Sequence, residues 1–414
     1  MPDSLTLDGL GPTPIRRPET VAELGELVRE AVRDEKALYP FGGRTKLDFG
    51  LPPTRSGFAV DCRAFNTIVD YPARDLTITV GAGVTIAALQ KALAAEGQRL
   101  PIDIPNPDES TLAGAIATNT SGPRRFLRGT LRDAVIGISF LTDAGVEVKG
   151  GGRVVKNVAG YDLMKLQIGA MGTLGILTQV TLKVTPKPDD QAFVVFGINA
   201  ASIGPTLDRL HNSASRPAAI EVLNSAAVQQ IAEQTGIPFP TVDPWLIVAG
   251  FEEKAPTVAW QVGTLKDELK AAPVRNVTEF RGVECDKLWH ALSQLQSTHD
   301  SRFSLKANVL ASEVGQFLST ASAANADLIL HAHAGNGIVY GHIHAELTVD
   351  QASAILAKLT PSERGNLIVR RCPTEWKNVL PIWGRSRHEL STMQTVKKML
   401  DPNNVFNPGR LFKV

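Results

Sequence analysis

Apolar side chains recur at helical spacing from Val21 through Leu24, Leu27 and Val28 to Val32, with Thr20 placed as the cap and Glu23 three residues on. The pattern then turns to short strand-like runs. Strands are predicted at Ala37–Pro40, Val60-Asp61, Leu76–Val80, Ala134–Thr142 and Gly175–Val184, with a helix over Thr85–Glu96 that Gly97 ends. Pro186-Lys-Pro188 breaks both periodicities, because proline donates no ladder hydrogen bond, so a domain boundary is expected there. It separates residues 17–187 from residues 188–400. Beyond it, strands are expected at Ala192–Ile198, Ala219–Leu223, Trp245–Phe251, Asp327–His333, Ile338–Leu347 and Asn366–Arg371. Helices are expected at Ile203–Ser213, Ala226–Thr235, Val258–Leu269, Asp286–Leu295, Glu313–Ala323, Asp350–Leu359 and Arg387–Leu400. This is an α+β layer, one sheet backed by helices. Residues 1–16 read as a loose arm and residues 401–414 as a tail, and no internal repeat is visible.

Composition narrows the function classes. A chain of 414 residues with 43% apolar content supports two buried cores. Lys and Arg number 43 against 42 Asp and Glu, which gives no general attraction to nucleic acid or an anionic membrane. Cys62, Cys285 and Cys372 lie far apart without a CxxC pair, which argues against a cysteine zinc site or an iron–sulfur cluster. The N-terminal residues carry no apolar targeting core, and runs such as Trp245–Phe251 and Leu328–Ala334 are too short to span a bilayer. A cytoplasmic protein is expected, peripheral to a membrane only through a partner.

Three segments carry candidate chemistry. In Phe41-Gly-Gly-Arg-Thr-Lys46, glycines after a strand let backbone amides turn toward an anion, while Arg44 and Lys46 add charge and Thr45 a hydroxyl. An ordinary glycine turn fits the same residues equally well. From Ala113 to Gly122 small side chains dominate, as where another molecule lies against backbone, and Thr111, Thr118, Asn119 and Ser121 offer hydrogen bonds. Gly172 and Gly175 allow close approach to a planar ligand. Gly81-Ala-Gly83 begins a dinucleotide fingerprint, but Ile86 stands where its third glycine belongs, so nicotinamide binding is rejected.

In order, these segments resemble the vanillyl-alcohol oxidase/PCMH flavoprotein superfamily. The features are the Gly-Gly loop at 42–46, the small-residue segment at 105–122, an Arg-rich link to Gly129, the Gly-Thr-Leu-Gly-Ile turn at 172–176 and Asn407-Pro-Gly-Arg410 near the end. Val155–Asp162 and Ala334–Ile338 further resemble the E-type subunits of glycolate oxidases. The resemblance implies a PCMH-type FAD-binding domain of two α/β subdomains, then a ferredoxin-like α+β cap. It implies FAD phosphates near Gly42, Gly43, Arg44, Thr45 and Lys46, and an FAD channel along Thr111, Gly114, Thr118, Asn119 and Ser121. Gly175 and Ile176 are expected at the flavin or adenine end, and Asn407 is expected to approach from the tail. The loop lacks the histidine to which relatives tether FAD, so non-covalent binding is expected. Implied partners are a sister FAD-binding catalytic subunit, an iron–sulfur subunit and a small 2-hydroxy-acid substrate.

Departures from the superfamily matter as much. Catalytic members carry His-x-Gly-Asp-Gly-Asn-x-His for a divalent metal, whereas this chain reads His331-Ala-His-Ala-Gly-Asn-Gly-Ile338, and Thr374-Glu-Trp-Lys377 replaces a Glu-His-Gly signature. Isoleucine offers no donor, so no metal site is expected. Gly169-Ala-Met-Gly172 likewise replaces a Gly-Ser-Glu-Gly turn. Alternation places His331, His333, His342 and His344 on one face of two strands, either as a polar hairpin or as a metal cluster; His333 and His342 are the acid–base candidates. Arg124, Arg125, Arg128 and Arg132 serve as an anion site or as a solvated, partner-facing patch, with Arg132 beside Asp133 as a local pair. Trp376 and Trp383 read as cap packing.

Overall fold

A computed structural model describes residues 3–152, 162–239, 243–297, 300–385 and 388–412. All of the Val155–Asp162 run except Asp162 lies outside these residues. The chain divides into two units, one comprising Met1–Ser121, Gly129–Lys187 and Ser386–Val414, the other Gly122–Arg128 and Pro188–Arg385.

The first unit holds two sheets. One has the strand order Ser4–Leu7, Leu10–Arg16, Gly57–Asp61, Ala37–Phe41. The helix Val21–Arg33 covers it, capped as the sequence predicts by Thr20 Oγ1 accepting from the Glu23 amide at 3.1 Å. Leu24, Leu27, Val28 and Ala31 pack with Leu38, Val60 and Phe406. The other sheet runs Ile68–Asp70, Thr77–Gly81, Ile176–Lys183, Val135–Leu141, Glu147–Gly151. Helices Ile86–Ala95 and Leu112–Ala117 share its core.

Within residues 1–16, expected as a loose arm, Ser4–Leu7 and Leu10–Arg16 instead form a hairpin whose second strand pairs with Gly57–Asp61. Pro12 and Pro14 hide that strand in the sequence, but its pairing with Gly57–Asp61 is made by Ile15 and Arg16, beyond both prolines, and Thr13 and Ile15 alternate into the interior. The helix Glu389–Leu400, expected with the cap, belongs to the first unit. Its buried Lys397 explains this: Nζ pairs with Asp401 and donates to Thr173 O at 2.8 Å and Phe406 O at 2.9 Å. The tail then lies parallel beside Leu38 through Phe406.

The second unit is built on an eight-stranded antiparallel sheet ordered Arg275–Arg281, Asp190–Ile198, Trp245–Glu253, Ala219–Asn224, Ile329–His333, Ile338–Ile343, Phe303–Asn308, Asn366–Arg371. Each half carries the ferredoxin-like order fourth, first, third, second, and the halves join through their second strands at Glu221↔His333 and Leu223↔His331. The repeat absent from the sequence is therefore present in the topology. Strands Arg275–Arg281 and Phe303–Asn308 have no counterpart in the sequence reading. The former is a polar edge strand whose pattern does not alternate cleanly, RNVTEFR.

Helices Ser225–Thr235 and Val283–Gln294 share an apolar core with sheet residues of the first half, among them Phe193, Leu223, Leu246 and Val248. No helix among the described residues is long and apolar enough to cross a membrane.

Candidate functional site

Two adjoining clefts open in the first unit, the larger enclosing about 830 Å³ out to its mouth and the smaller about 490 Å³. The loop after strand Ala37–Phe41 forms one wall of the larger, bringing Gly42, Gly43, Arg44, Thr45 and Lys46 together. The left-handed backbone of this loop falls on Arg44, at φ 61°, rather than on Gly42 or Gly43, and its guanidinium lies 5.0 Å from the Phe41 ring centre. The glycines themselves answer to packing. A Cβ on Gly42 would sit 2.2 Å from Thr111 Oγ1, and one on Gly43 would sit 1.8 Å from Glu109 O. They let the loop close onto the small-residue segment.

That segment forms the facing wall. Thr111 caps the short helix Leu112–Ala117 by accepting from the Gly114 amide at 3.3 Å. Gly114 lines both clefts, and a Cβ there would meet only Thr111 Oγ1, at 3.2 Å. Thr118 also lines the larger cleft, where its hydroxyl lies 2.8 Å from that of Thr120, to which Lys46 Nζ donates. Asn119 and Ser121, expected on the channel, do not line either cleft. Asn119 adopts φ 47°, and its Cβ lies 3.5 Å from where Gly169 would carry one. The intervening Thr120 takes the lining position.

Gly175 and Ile176 line the smaller cleft, where Gly175 has φ 149° and a Cβ would strike Leu141 O at 2.6 Å. Asn407 lines both clefts and donates from Nδ2 to Met171 O at 2.7 Å, fixing the tail to the 169–172 turn. Met171, Ala117, Ser110 and Arg410 also line the larger cleft, each within a segment that the sequence singles out but none expected as a lining residue. Cys62 borders the smaller cleft, and burial pushes its thiol up to about 12, so it is an inert wall residue.

The larger cleft is lined by Arg44, Lys46 and Arg410 and by no carboxylate side chain among the described residues. With small side chains along one wall, cations along the other and space for a flat group beside Gly114, the residues fit a phosphate-bearing, planar cofactor such as FAD.

The second unit holds the histidines. His331, His333 and His342 are buried on one face of the joined sheets, with Glu221, Tyr340, Ser304 and Lys306 on neighbouring strands. His333 Nδ1 lies 2.7 Å from Glu221 Oε2. His331 stacks on Tyr340 at 4.7 Å and on His342 at 5.7 Å, and neither ring nitrogen has a hydrogen-bond partner among the described residues. Burial, then the charge of Arg370 and the neighbouring His344, pushes His342 down to about 3. Burial pushes His331 well below its ordinary value too. Both rings are therefore neutral near pH 7. His344 is exposed and bonds Asp300 O. No group of three or more metal-ligating side chains forms among the described residues.

Beside these rings, Lys306, Arg370 and Arg125 cluster. Lys306 is half-buried, and burial, then the repulsion of Arg370 and Arg125, pulls it down to about 8. Lys306 Nζ and the Arg370 guanidinium lie 5.9 and 5.1 Å from the Tyr340 ring centre. The rest of the predicted arginine cluster disperses. Arg124 and Arg128 clamp Glu252 at 2.7 and 3.0 Å. Arg132 bonds Lys165 O rather than pairing with Asp133, which caps Thr130.

Residues 12–151 match the family of FAD binding domains, and residues 187–358 and 383–411 match the C-terminal domain of FAD linked oxidases. The glycolate oxidase subunit GlcE of Escherichia coli K12 is 40% identical over 164 residues, which is 39% of this chain and 46% of that protein. Its match thus spans under half of either molecule. The D-2-hydroxyglutarate dehydrogenase of Xanthomonas citri pv. viticola is 25% identical over 97% of this chain and 89% of its own length. The structure of p-cresol methylhydroxylase with substrate bound shares the fold, with a TM-score of 0.72 and 14% identity over 96% of this chain and 88% of that one. The chain carries an FAD binding domain followed by the C-terminal domain of FAD linked oxidases, and is an FAD-linked oxidoreductase.

Proposed function

We propose that this chain is the FAD-binding subunit of a glycolate oxidase-type complex. It serves flavin-mediated oxidation of a small 2-hydroxy acid and passes electrons to a sister flavoprotein and an iron–sulfur subunit. The observation that carries the cofactor assignment is the carboxylate-free, cation-lined cleft closed by Gly42, Gly43 and Gly114. FAD, when bound, supplies the two-electron redox chemistry, and the protein supplies binding, orientation and electrostatics. Arg44, Thr45 and Lys46 take the pyrophosphate. Gly114, Thr118, Gly175, Ile176 and Asn407 border the rest. The loop at 42–46 carries no histidine, which supports FAD held without a covalent bond.

The broken histidine motif supports a subunit role over a self-sufficient enzyme: His331 is kept, but Ala334 stands at the aspartate and Ile338 at the second histidine of the metal-binding relatives. One observation favours the second reading, an independent 2-hydroxy-acid dehydrogenase. Lys306, Arg370 and Arg125 make a cationic group suited to a substrate carboxylate.

One experiment separates the two. The purified chain is mixed anaerobically with glycolate, D-lactate or D-2-hydroxyglutarate, alone and with its co-expressed partner subunits, and the flavin absorbance is followed. The subunit reading expects bleaching only with the partners present, and acid precipitation should release all the flavin. Rapid bleaching of the chain alone, abolished by Lys306→Met, would establish the independent enzyme. A colourless protein that takes up no FAD sinks both.

A further inference from the structure

The side chain of Arg410 is almost wholly buried although it borders the larger cleft. Nη1 donates to Asp8 Oδ2 at 2.8 Å and to Leu51 O at 2.9 Å. Nη2 donates to Phe49 O at 2.6 Å and to Leu47 O. All four terminal N–H groups of the guanidinium are thereby engaged. Its charge is met by Asp8, which lies in the N-terminal hairpin turn at φ 49°. The backbone completes the tie, since the Leu51 amide donates to Arg410 O at 3.0 Å and the Thr54 amide to Pro408 O at 3.2 Å.

The carbonyls at 47, 49 and 51 belong to the loop that begins with Gly42–Lys46. This loop has no strand or helix of its own to hold its curvature. A flexible loop that must order on binding weakens affinity by the entropy of ordering it, and a loop fixed beforehand does not. One planar guanidinium that holds three carbonyls of a single turn fixes that turn. A lysine ammonium, a single point of donors on a flexible stem, cannot span the three.

We propose that Arg410 is a positioning residue for cofactor binding. It pre-forms the phosphate loop from the C-terminal tail and acts through residues 44–51 rather than by touching the ligand. This rests on the reading that Arg44, Thr45 and Lys46 receive the FAD pyrophosphate. The chemistry it governs is therefore affinity for the diphosphate, separate from affinity for the isoalloxazine ring.

The test uses full-length apoprotein, with FAD uptake followed by fluorescence quenching and competed by ADP or by riboflavin. Arg410→Met is expected to weaken FAD and ADP by the same factor, at least tenfold, and to leave competition by riboflavin unchanged. Arg410→Lys, the variant to use should the methionine form not fold, restores the ion pair with Asp8 and recovers only part of that loss. FAD affinity within twofold of wild type overturns the proposal, as does an equal loss for riboflavin, which marks general loosening. Lys46→Met tests the underlying reading separately. If Lys46→Met is silent while Arg410→Met still weakens ADP, the contact assigned to Lys46 fails and the positioning role stands.

Discussion

Glu252 offers the sharpest test of what holds the second unit together. Its carboxylate is fully buried on strand Trp245–Glu253, with Arg124 Nε at 2.7 Å on one oxygen and Arg128 Nε at 3.0 Å on the other. Arg124 also stacks on the Trp289 ring at 3.8 Å, and Arg128 donates to the Glu252 carbonyl at 3.1 Å. The arginine side chains are only 13% and 25% exposed, so solvent screens them weakly. Glu252→Ala removes the anion and leaves two poorly hydrated cations facing each other. Breaking a buried pair in this way costs about 3–5 kcal/mol. For a unit of this size, each kcal/mol moves the thermal midpoint by roughly 2–4 °C, so the transition of the second unit should fall by at least about 6 °C. Glu252→Gln keeps the volume and an acceptor for one of the two arginines, while its NH2 faces the other, and should lose less than the alanine form. Replacing Arg124 and Glu252 together with methionine should recover part of the loss, because buried pairs exchanged for apolar groups are often neutral. Calorimetry or urea denaturation of the apoprotein reads all three variants. A Glu252→Ala transition within about 1 kcal/mol of wild type would refute the reasoning, since that is the range of an exposed pair.

Two further outcomes are expected. Gly43→Ala forces a Cβ to 1.8 Å from Glu109 O and should damage folding, whereas Gly114→Ala meets only Thr111 Oγ1 at 3.2 Å and should fold normally but bind FAD at least tenfold more weakly. Comparing thermal midpoints with flavin content of the two purified variants separates them, and full flavin content in Gly114→Ala would remove Gly114 from the channel. His342 gives a pH signature. The folded imidazole takes its proton only near pH 3, whereas an unfolded one takes it near 6.5, so the folded chain binds fewer protons in between and stability falls as pH falls through that window. Between pH 6 and 5 one such group contributes a slope of up to about 1.4 kcal/mol per pH unit, and His342→Gln should flatten urea-midpoint curves by that amount. An unchanged slope would place the ring in contact with water.

The local sequence determined the elements and much of one cleft wall. Thr20 and Glu23 mark a helix start and Gly97 a helix end, because capping and chirality act within a few residues. Position on the cleft was decided by the fold. Asn119 and Ser121 carry suitable groups, yet the turn at Asn119 gives the lining place to Thr120. Arg410 finds its carboxylate partner 402 residues away, and Arg124 finds Glu252 at a separation of 128, distances at which chain spacing carries no information about contact. The cap repeat is hidden for a related reason. A sheet interior asks only for apolar side chains at alternate positions, so two ferredoxin-like halves keep one topology without sharing residues, and only the strand pairing reveals it.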